Sequence, residues 1–184
     1  IDRKTDVGEE TITVNVFSVG TLSLVDDKAG ATGDINITFT ATNAIEAGGD
    51  LEITLPGGFD LTGVLTVQST QNDITGVLAI SDLDADTLEI NLPNGLGAGV
   101  AVDDLVIGGV KNPTVTGATG AFTFETQTSG NVAIDRKTDV GEETITVNVF
   151  SVGTLALVDD KAGAVSDINI TFTATNAIGA GGDF

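Results

Sequence analysis

The sequence predicts an all-β fold, an antiparallel sandwich of two sheets. Three observations carry that prediction. Apolar and polar residues alternate with period two in many short windows, the signature of strands with one buried face. Glycine, proline and asparagine punctuate those windows every 8–15 residues or so, as turns do. No window carries a helical period, and Thr, Val and Ile are abundant, which suits a pleated surface. About eight to ten short strands in this rhythm read as a sandwich.

The clearest strand is Asp34-Ile35-Asn36-Ile37-Thr38-Phe39-Thr40-Ala41-Thr42, with Ile35, Ile37, Phe39 and Ala41 on the inner face. Thr11 to Val16 alternates in the same way. Leu22 and Leu24 mark a strand ahead of it. Leu51, Ile53 and Leu55 mark the next, followed by Leu65 with Val67 and by Leu88, Ile90 and Leu92. Phe122 and Phe124 flank Thr123, and Val132 and Ile134 flank Ala133. Val77–Ile80 and Val100–Ile107 carry weaker patterns. Turns are expected at Asp26-Asp27-Lys28-Ala29-Gly30, Pro56-Gly57-Gly58, Pro93-Asn94-Gly95 and Asn112-Pro113. The core is expected to be aliphatic, with Phe17, Phe39, Phe59, Phe122 and Phe124 added.

An internal repeat sets the organisation. Residues 1–51 match residues 134–184 at 46 of 51 positions, an offset of 133. The differences are Ser23/Ala156, Thr32/Val165, Gly33/Ser166, Glu46/Gly179 and Leu51/Phe184. That period exceeds the ~20–50 residues of a solenoid coil and has the size of a whole domain. The seam is expected at Ser18-Val19-Gly20 and its copy Ser151-Val152-Gly153. Residues 1–20 then form the last strand of a preceding unit, 21–153 one complete sandwich, and 154–184 the first strands of the next. The absence of Met predicts a processed or excised segment.

Charge and missing residue types exclude several functions. The chain carries 27 acidic and 7 basic residues, a net charge of -20, which repels nucleic acid and anionic membrane. No apolar run approaches a membrane span. Without His or Cys, Ser–His and Cys–His nucleophiles are excluded, and no disulfide or thiolate zinc site forms. A carboxylate pair of the glycosidase kind lacks aromatic sugar platforms, since only Phe is present. The chain is therefore not expected to be an enzyme.

Calcium is the best chemical candidate. Asp82, Asp84 and Asp86 alternate through one turn, and hard oxygen ligands in a loop suit Ca2+. The spacing departs from an EF-hand, because Thr87 and Pro93 stand where its Gly and Glu belong. Asp26 and Asp27 form a second acidic pair, placed at the pole facing the next unit, where a cation would stiffen the joint. A solvated turn explains either group equally, and Asp103-Asp104 is a third pair. Asn36-Ile37-Thr38 and Asn169-Ile170-Thr171 are glycosylation sequons, with Asn36 on the outward face. Lys4, Lys28 and Lys111 are candidates for amide crosslinks to Asn or Asp.

The order of phrases also carries a resemblance. Asp34-Ile35-Asn36-Ile37-Thr38-Phe39-Thr40 leads through Ala47-Gly48-Gly49 to Leu51-Glu52-Ile53-Thr54-Leu55-Pro56-Gly57-Gly58-Phe59, then to Ile107-Gly108-Gly109-Val110-Lys111-Asn112-Pro113 and Gly120-Ala121-Phe122-Thr123-Phe124-Glu125-Thr126. This resembles the immunoglobulin-like sandwich repeats of large bacterial and archaeal cell-surface proteins, such as adhesins, S-layer-like proteins and surface filaments. The resemblance implies an extracellular, architectural or adhesive role and transfers no catalytic residue. The expected function is a structural repeat of a surface filament, sheath or stalk, with identical neighbouring repeats or subunits as partners. The alternative is an adhesin module that binds a ligand through loops at one end of the sandwich.

Overall fold

The computed structural model describes residues 13–17, 19–63, 65–71, 74–149 and 152–174. Among the described residues there are twelve strands and no helix. Ten strands build two five-stranded antiparallel sheets that share one core. The fold class is therefore the expected all-β sandwich.

The first sheet contains β1 (Val19–Leu24), β2 (Thr32–Thr40), β8 (Ala101–Lys111), β4 (Thr66–Ser69) and β5 (Gly76–Leu78), in that spatial order. The second contains β10 (Ala133–Ile145), β9 (Gly117–Gln127), β3 (Gly49–Thr54), β7 (Thr87–Leu92) and β6 (Ile80–Leu83). Two further strands, β11 (Val152–Leu157) and β12 (Ile168–Thr173), form a separate hairpin.

The alternation read from the sequence fills the space between the sheets. Ile35, Ile37 and Phe39 of β2 and Leu105 and Ile107 of β8 face Leu51 and Ile53 of β3, Leu88, Ile90 and Leu92 of β7, and Phe122 and Phe124 of β9. All are essentially inaccessible to water. Burying an aliphatic or aromatic side chain contributes about 1.5–3 kcal/mol, so this row supplies most of the drive to fold. Phe17 packs edge-on against Phe39 and Phe124, with ring centroids 5.9 and 6.4 Å away. Phe59 tilts over Phe122 at 5.5 Å. The five phenylalanines expected in the core all lie there.

The seam expected between residues 20 and 21 falls inside β1, which starts at Val19. Phe17, assigned to the preceding unit in the sequence reading, packs in the core of this sandwich. Gly20 is an extended strand residue paired with Phe39. The acidic stretch after Ile134 lies in β10, thirteen residues long and the longest strand described. Four register shifts against β9 scramble its alternation. One falls at Gly141, whose φ of 49° is a bulge conformation that disfavours other residues.

The Pro93-Asn94-Gly95 turn is present: Gly95 N–H donates to the Leu92 carbonyl at 2.9 Å, with φ of 70° at Gly95. Val77–Ile80 divides between β5 and β6, and Val100–Ile107 becomes the central strand β8. Of the alternating run Thr11–Val16, residues 11 and 12 lie outside the described residues. Asn15 makes one isolated bridge to Asp135.

Candidate functional site

The sandwich has two structured poles, and the repeated sequence occupies both. The stretch from Asn15 to Lys28 runs parallel to β10, with bridges Asn15 to Asp135 at one end and Lys28 to Thr146 at the other. The chain therefore reaches the core at one pole, called leading here, and leaves it at the opposite, trailing pole.

At the leading pole the backbone of Asn15 is clasped on both sides. Its N–H donates to the Ile134 carbonyl at 3.2 Å, and the Arg136 N–H donates to its carbonyl at 2.7 Å. The Thr42 hydroxyl donates to the Val16 carbonyl at 2.6 Å. Phe17 then enters the core. Behind this strap, fully buried Asp135 accepts the Asn43 backbone N–H at 2.9 Å and the Asn43 side-chain amide at 2.7 Å. A buried carboxylate is tolerated only when so bonded. Arg136 pairs with Glu125, which also accepts from Gln127 at 3.1 Å.

At the trailing pole the expected Asp26–Gly30 turn receives the end of β10. Thr146 N–H donates to the Asp27 carbonyl at 2.8 Å, and Ala29 N–H donates to the Thr146 carbonyl at 2.9 Å. The Lys28 ammonium donates to the Asp27 carboxylate and, at 2.8 Å, to the Thr146 hydroxyl. The Asn148 side-chain amide donates to the Ala29 carbonyl. Buried Asn112 ties the turn from below, donating to the carbonyls of Asp26 at 2.6 Å and Lys28 at 3.0 Å. The hydrogen bond from Lys28 holds the Asp27 carboxyl below its ordinary value, helped by Thr146. Asp26 accepts the Lys28 backbone N–H at 3.0 Å. The acidic pair lies at the pole opposite the chain's entry, where the Lys28 ammonium bonds Asp27.

The other acidic turn is arranged differently from its linear spacing. Asp82 and Asp84 line a shallow surface pocket with Glu52 and Glu89. Asp86 lies beyond it, giving its carbonyl to the Leu55 N–H at 2.8 Å. Among the described residues no three acids gather as a group that holds a metal ion. Glu52 and Glu89 are direct cross-strand partners, as are Asp82 and Glu89. Like charges opposite one another oppose pairing. Partial burial, then the charges of Asp50, Glu52, Asp82 and Asp84, push the Glu89 carboxyl up. Glu52 and Glu89 were missed in the sequence because only strand pairing brings them to the turn. Both outward positions were readable from Leu51-Glu52-Ile53 and Leu88-Glu89-Ile90.

Asp104 of the third pair ties β8 to the turn after β4. It accepts from the Ser69 hydroxyl at 2.6 Å and the Thr70 N–H at 2.9 Å, and these bonds hold its carboxyl below the ordinary value. Asn36 and Asn169 are exposed, on β2 and β12. The Thr38 hydroxyl of the first sequon bonds that of Thr21 at 2.6 Å. Of the crosslink candidates, Lys4 lies outside the described residues, Lys28 is engaged as above, and Lys111 is exposed at the end of β8.

The remaining feature is the β11–β12 hairpin. Its six cross-strand pairs run from Val152 with Thr173 to Leu157 with Ile168. The β1–β2 pairs run from Val19 with Thr40 to Leu24 with Ile35, the same register displaced by 133. The turns agree as well. Val25 N–H donates to the Asp34 carbonyl at 3.0 Å, and Val158 N–H to the Asp167 carbonyl at 3.0 Å. Burial does not agree. Leu22, Ile35, Ile37 and Phe39 are at most 6% exposed, whereas Leu155, Ile168, Ile170 and Phe172 are 68%, 54%, 66% and 38% exposed.

No family model matches the chain. No curated protein matches it either. Among solved structures it is similar to "Crystal structure of BslA - A bacterial hydrophobin". That likeness has a TM-score of 0.42 and 19% identity, over 71% of this chain and 97% of that one.

Proposed function

We propose that the chain is a stretch of an extracellular structural protein built from tandem sandwich units, serving as a surface filament, sheath or stalk. The observation that carries this reading is the second hairpin. It repeats β1–β2 in sequence and register, and it presents an apolar face that has no core to cover. A hairpin with an apolar face is marginal alone, so this one is read as the opening of a following unit. Chain arrival and departure at opposite poles suit units joined end to end.

The composition agrees with this role. A net charge of -20 keeps a crowded polymer soluble by self-repulsion. The edge strand β10 presents Thr, Asp, Glu, Lys and Arg, and charged residues on an edge discourage unplanned strand pairing.

The test is to lengthen the chain by its own period. Adding residues 52–153 after Phe184 supplies the missing part of a second sandwich, and adding a further period supplies a third. The expected result is a particle whose maximum dimension, by small-angle X-ray scattering, grows by a constant increment per period. Each added period should raise the strand signal in far-ultraviolet circular dichroism in proportion. An added period that stays unfolded, or a compact globule whose length does not grow, would refute the reading.

A further inference from the structure

We propose that a second copy of this chain can complete the β11–β12 hairpin: it fits the slot that β1–β2 fills, in any copy whose own first hairpin stands aside. The proposal rests on reading β11–β12 as the opening of a sandwich. It extends that reading from the next unit of one chain to a unit of another.

The slot is defined by its present occupant, β1–β2, and has two walls. One is the edge of β8, where Ile35 pairs with Ile107, Ile37 with Leu105 and Phe39 with Val102. The other is the inner face of the second sheet, where Leu51, Ile53, Phe122 and Phe124 share the core with the hairpin. A strand added to such an edge gains main-chain hydrogen bonds, and the pockets behind it give specificity. Leu22, Ile35 and Ile37 are buried there, and Leu24 is partly buried against the same core.

The second hairpin carries the same apolar set. Leu155, Leu157, Ile168 and Ile170 stand at these four positions in the same register, and each is more than half exposed. Between residues 19–40 and 152–173 only three positions differ: Ser23/Ala156, Thr32/Val165 and Gly33/Ser166. Ser23 and Thr32 are exposed. A Cβ at Gly33 would meet the Asp26 Cβ at 3.4 Å, an ordinary contact. None of the three bars the second hairpin from the slot.

The slot of its own sandwich is out of reach. In that slot Val152 would lie where Val19 lies, next to Gly20. Gly20 packs beside Val140, since a Cβ there would stand 3.6 Å from the Val140 side chain. From Val140 to Thr146 the chain advances six residues, about 20 Å. The connection from Thr146 to Val152 is also six residues and spans about 20 Å when taut. It would have to double back along β10 and turn again at Val152, which leaves no length for either reversal. The slot that β11–β12 fits therefore belongs to another unit.

Competition decides when a second chain supplies it. The first hairpin is tethered to its slot, at an effective concentration on the order of mM, so at about 10 μM chain it wins roughly a hundredfold over an identical hairpin from outside. Intact chains therefore stay separate, and exchange begins where the first hairpin is weakened. Exchange of identical elements then joins chains head to tail, with β11–β12 of one in the first sheet of the next.

The experiment weakens one hairpin at a time. Ile37 is fully buried, so Ile37→Asp would bury a carboxylate without a partner and expels the chain's own hairpin. That chain keeps an intact β11–β12. Between about 1 and 100 μM it should pass from unfolded monomer to folded head-to-tail oligomers, read by far-ultraviolet circular dichroism and light scattering. Adding Ile170→Asp should abolish both signals. The doubly substituted chain should regain its strand signal when refolded with the intact chain, in a complex of one copy of each. With the Ile170→Asp chain, which folds but offers a charged hairpin, the yield should be about tenfold lower. A doubly substituted chain that stays unfolded beside excess intact chain, or that both donors rescue equally, overturns the exchange. An Ile37→Asp chain that is a folded monomer at about 1 μM, or still unfolded at about 100 μM, does the same. Each of these outcomes leaves the tandem reading standing, because that is judged on the chain lengthened by its own period.

Discussion

Ile37 and Ile170 offer a controlled experiment within one chain. Each sits in the sequence Asp-Ile-Asn-Ile-Thr-Phe-Thr, at residues 34–40 and 167–173. Each pairs across a hairpin with the same partner, Leu22 or Leu155. The seven-residue strand sequence and the cross-strand neighbour are identical. Ile37 is 0% exposed and Ile170 is 66% exposed. Ile37→Ala removes three carbons, about 2.4 kcal/mol at ~0.8 kcal/mol each. The cavity left between two sheets raises the cost to about 3–4 kcal/mol, within the range for buried large-to-small changes. Ile170→Ala should cost no more than about 0.5 kcal/mol, as surface substitutions do. The assay is urea unfolding followed by far-ultraviolet circular dichroism, since the chain has no Trp or Tyr to report by fluorescence. With a slope of about 2 kcal/mol per molar urea, the midpoint should fall by about 1.5–2 M for Ile37→Ala and by less than about 0.3 M for Ile170→Ala. Equal shifts would refute the reasoning, because they would mean that the two hairpins compete for one slot in the sandwich. Midpoints that depend on protein concentration would identify exchange between chains.

Three further outcomes are expected. Phe17→Ala should cost about 3–5 kcal/mol, because the ring fills the core against Phe39 and Phe124; a cost below 1 kcal/mol in the same urea assay would show that residues 13–17 are only loosely held. Asp135→Ala should cost about 2–3 kcal/mol, since it strips both Asn43 donors of their acceptor in a buried site, and Asp135→Asn should cost less. Glu89→Gln should raise the thermal midpoint at pH 7 and leave it unchanged near pH 3. The sign follows from the raised carboxyl: the folded state holds the proton more tightly than the unfolded one. Stability is therefore lost as pH climbs from the ordinary value of 4.5 through the raised one. A midpoint lowered at pH 7 would show that Glu89 is a favourable partner rather than a crowded charge.

The parts legible in the sequence were those where one strand has one buried face. β2, β3 and β7 alternate without a bulge in their inner residues, so their apolar positions name the core directly. β10 was illegible because bulges break its period and because charged residues occupy positions that fall at the poles and edge of the sandwich. The acidic pocket was half legible. Asp82 and Asp84 are neighbours in sequence, but Glu52 joins them only through the pairing of β3 with β7, where its partner is Glu89.

The duplicated segment separates the two kinds of information most cleanly. By itself, the sequence of residues 19–40 determines a hairpin, its register and its turn, since the copy at 152–173 folds to the same pairs without the rest of the sandwich around it. Those features depend on alternation and on turn residues a few positions apart, which both copies carry. The sequence does not determine which copy is buried, because burial requires a second sheet facing the apolar side. Only β1–β2 has one, and it comes from residues 49–145, between the two copies in the chain.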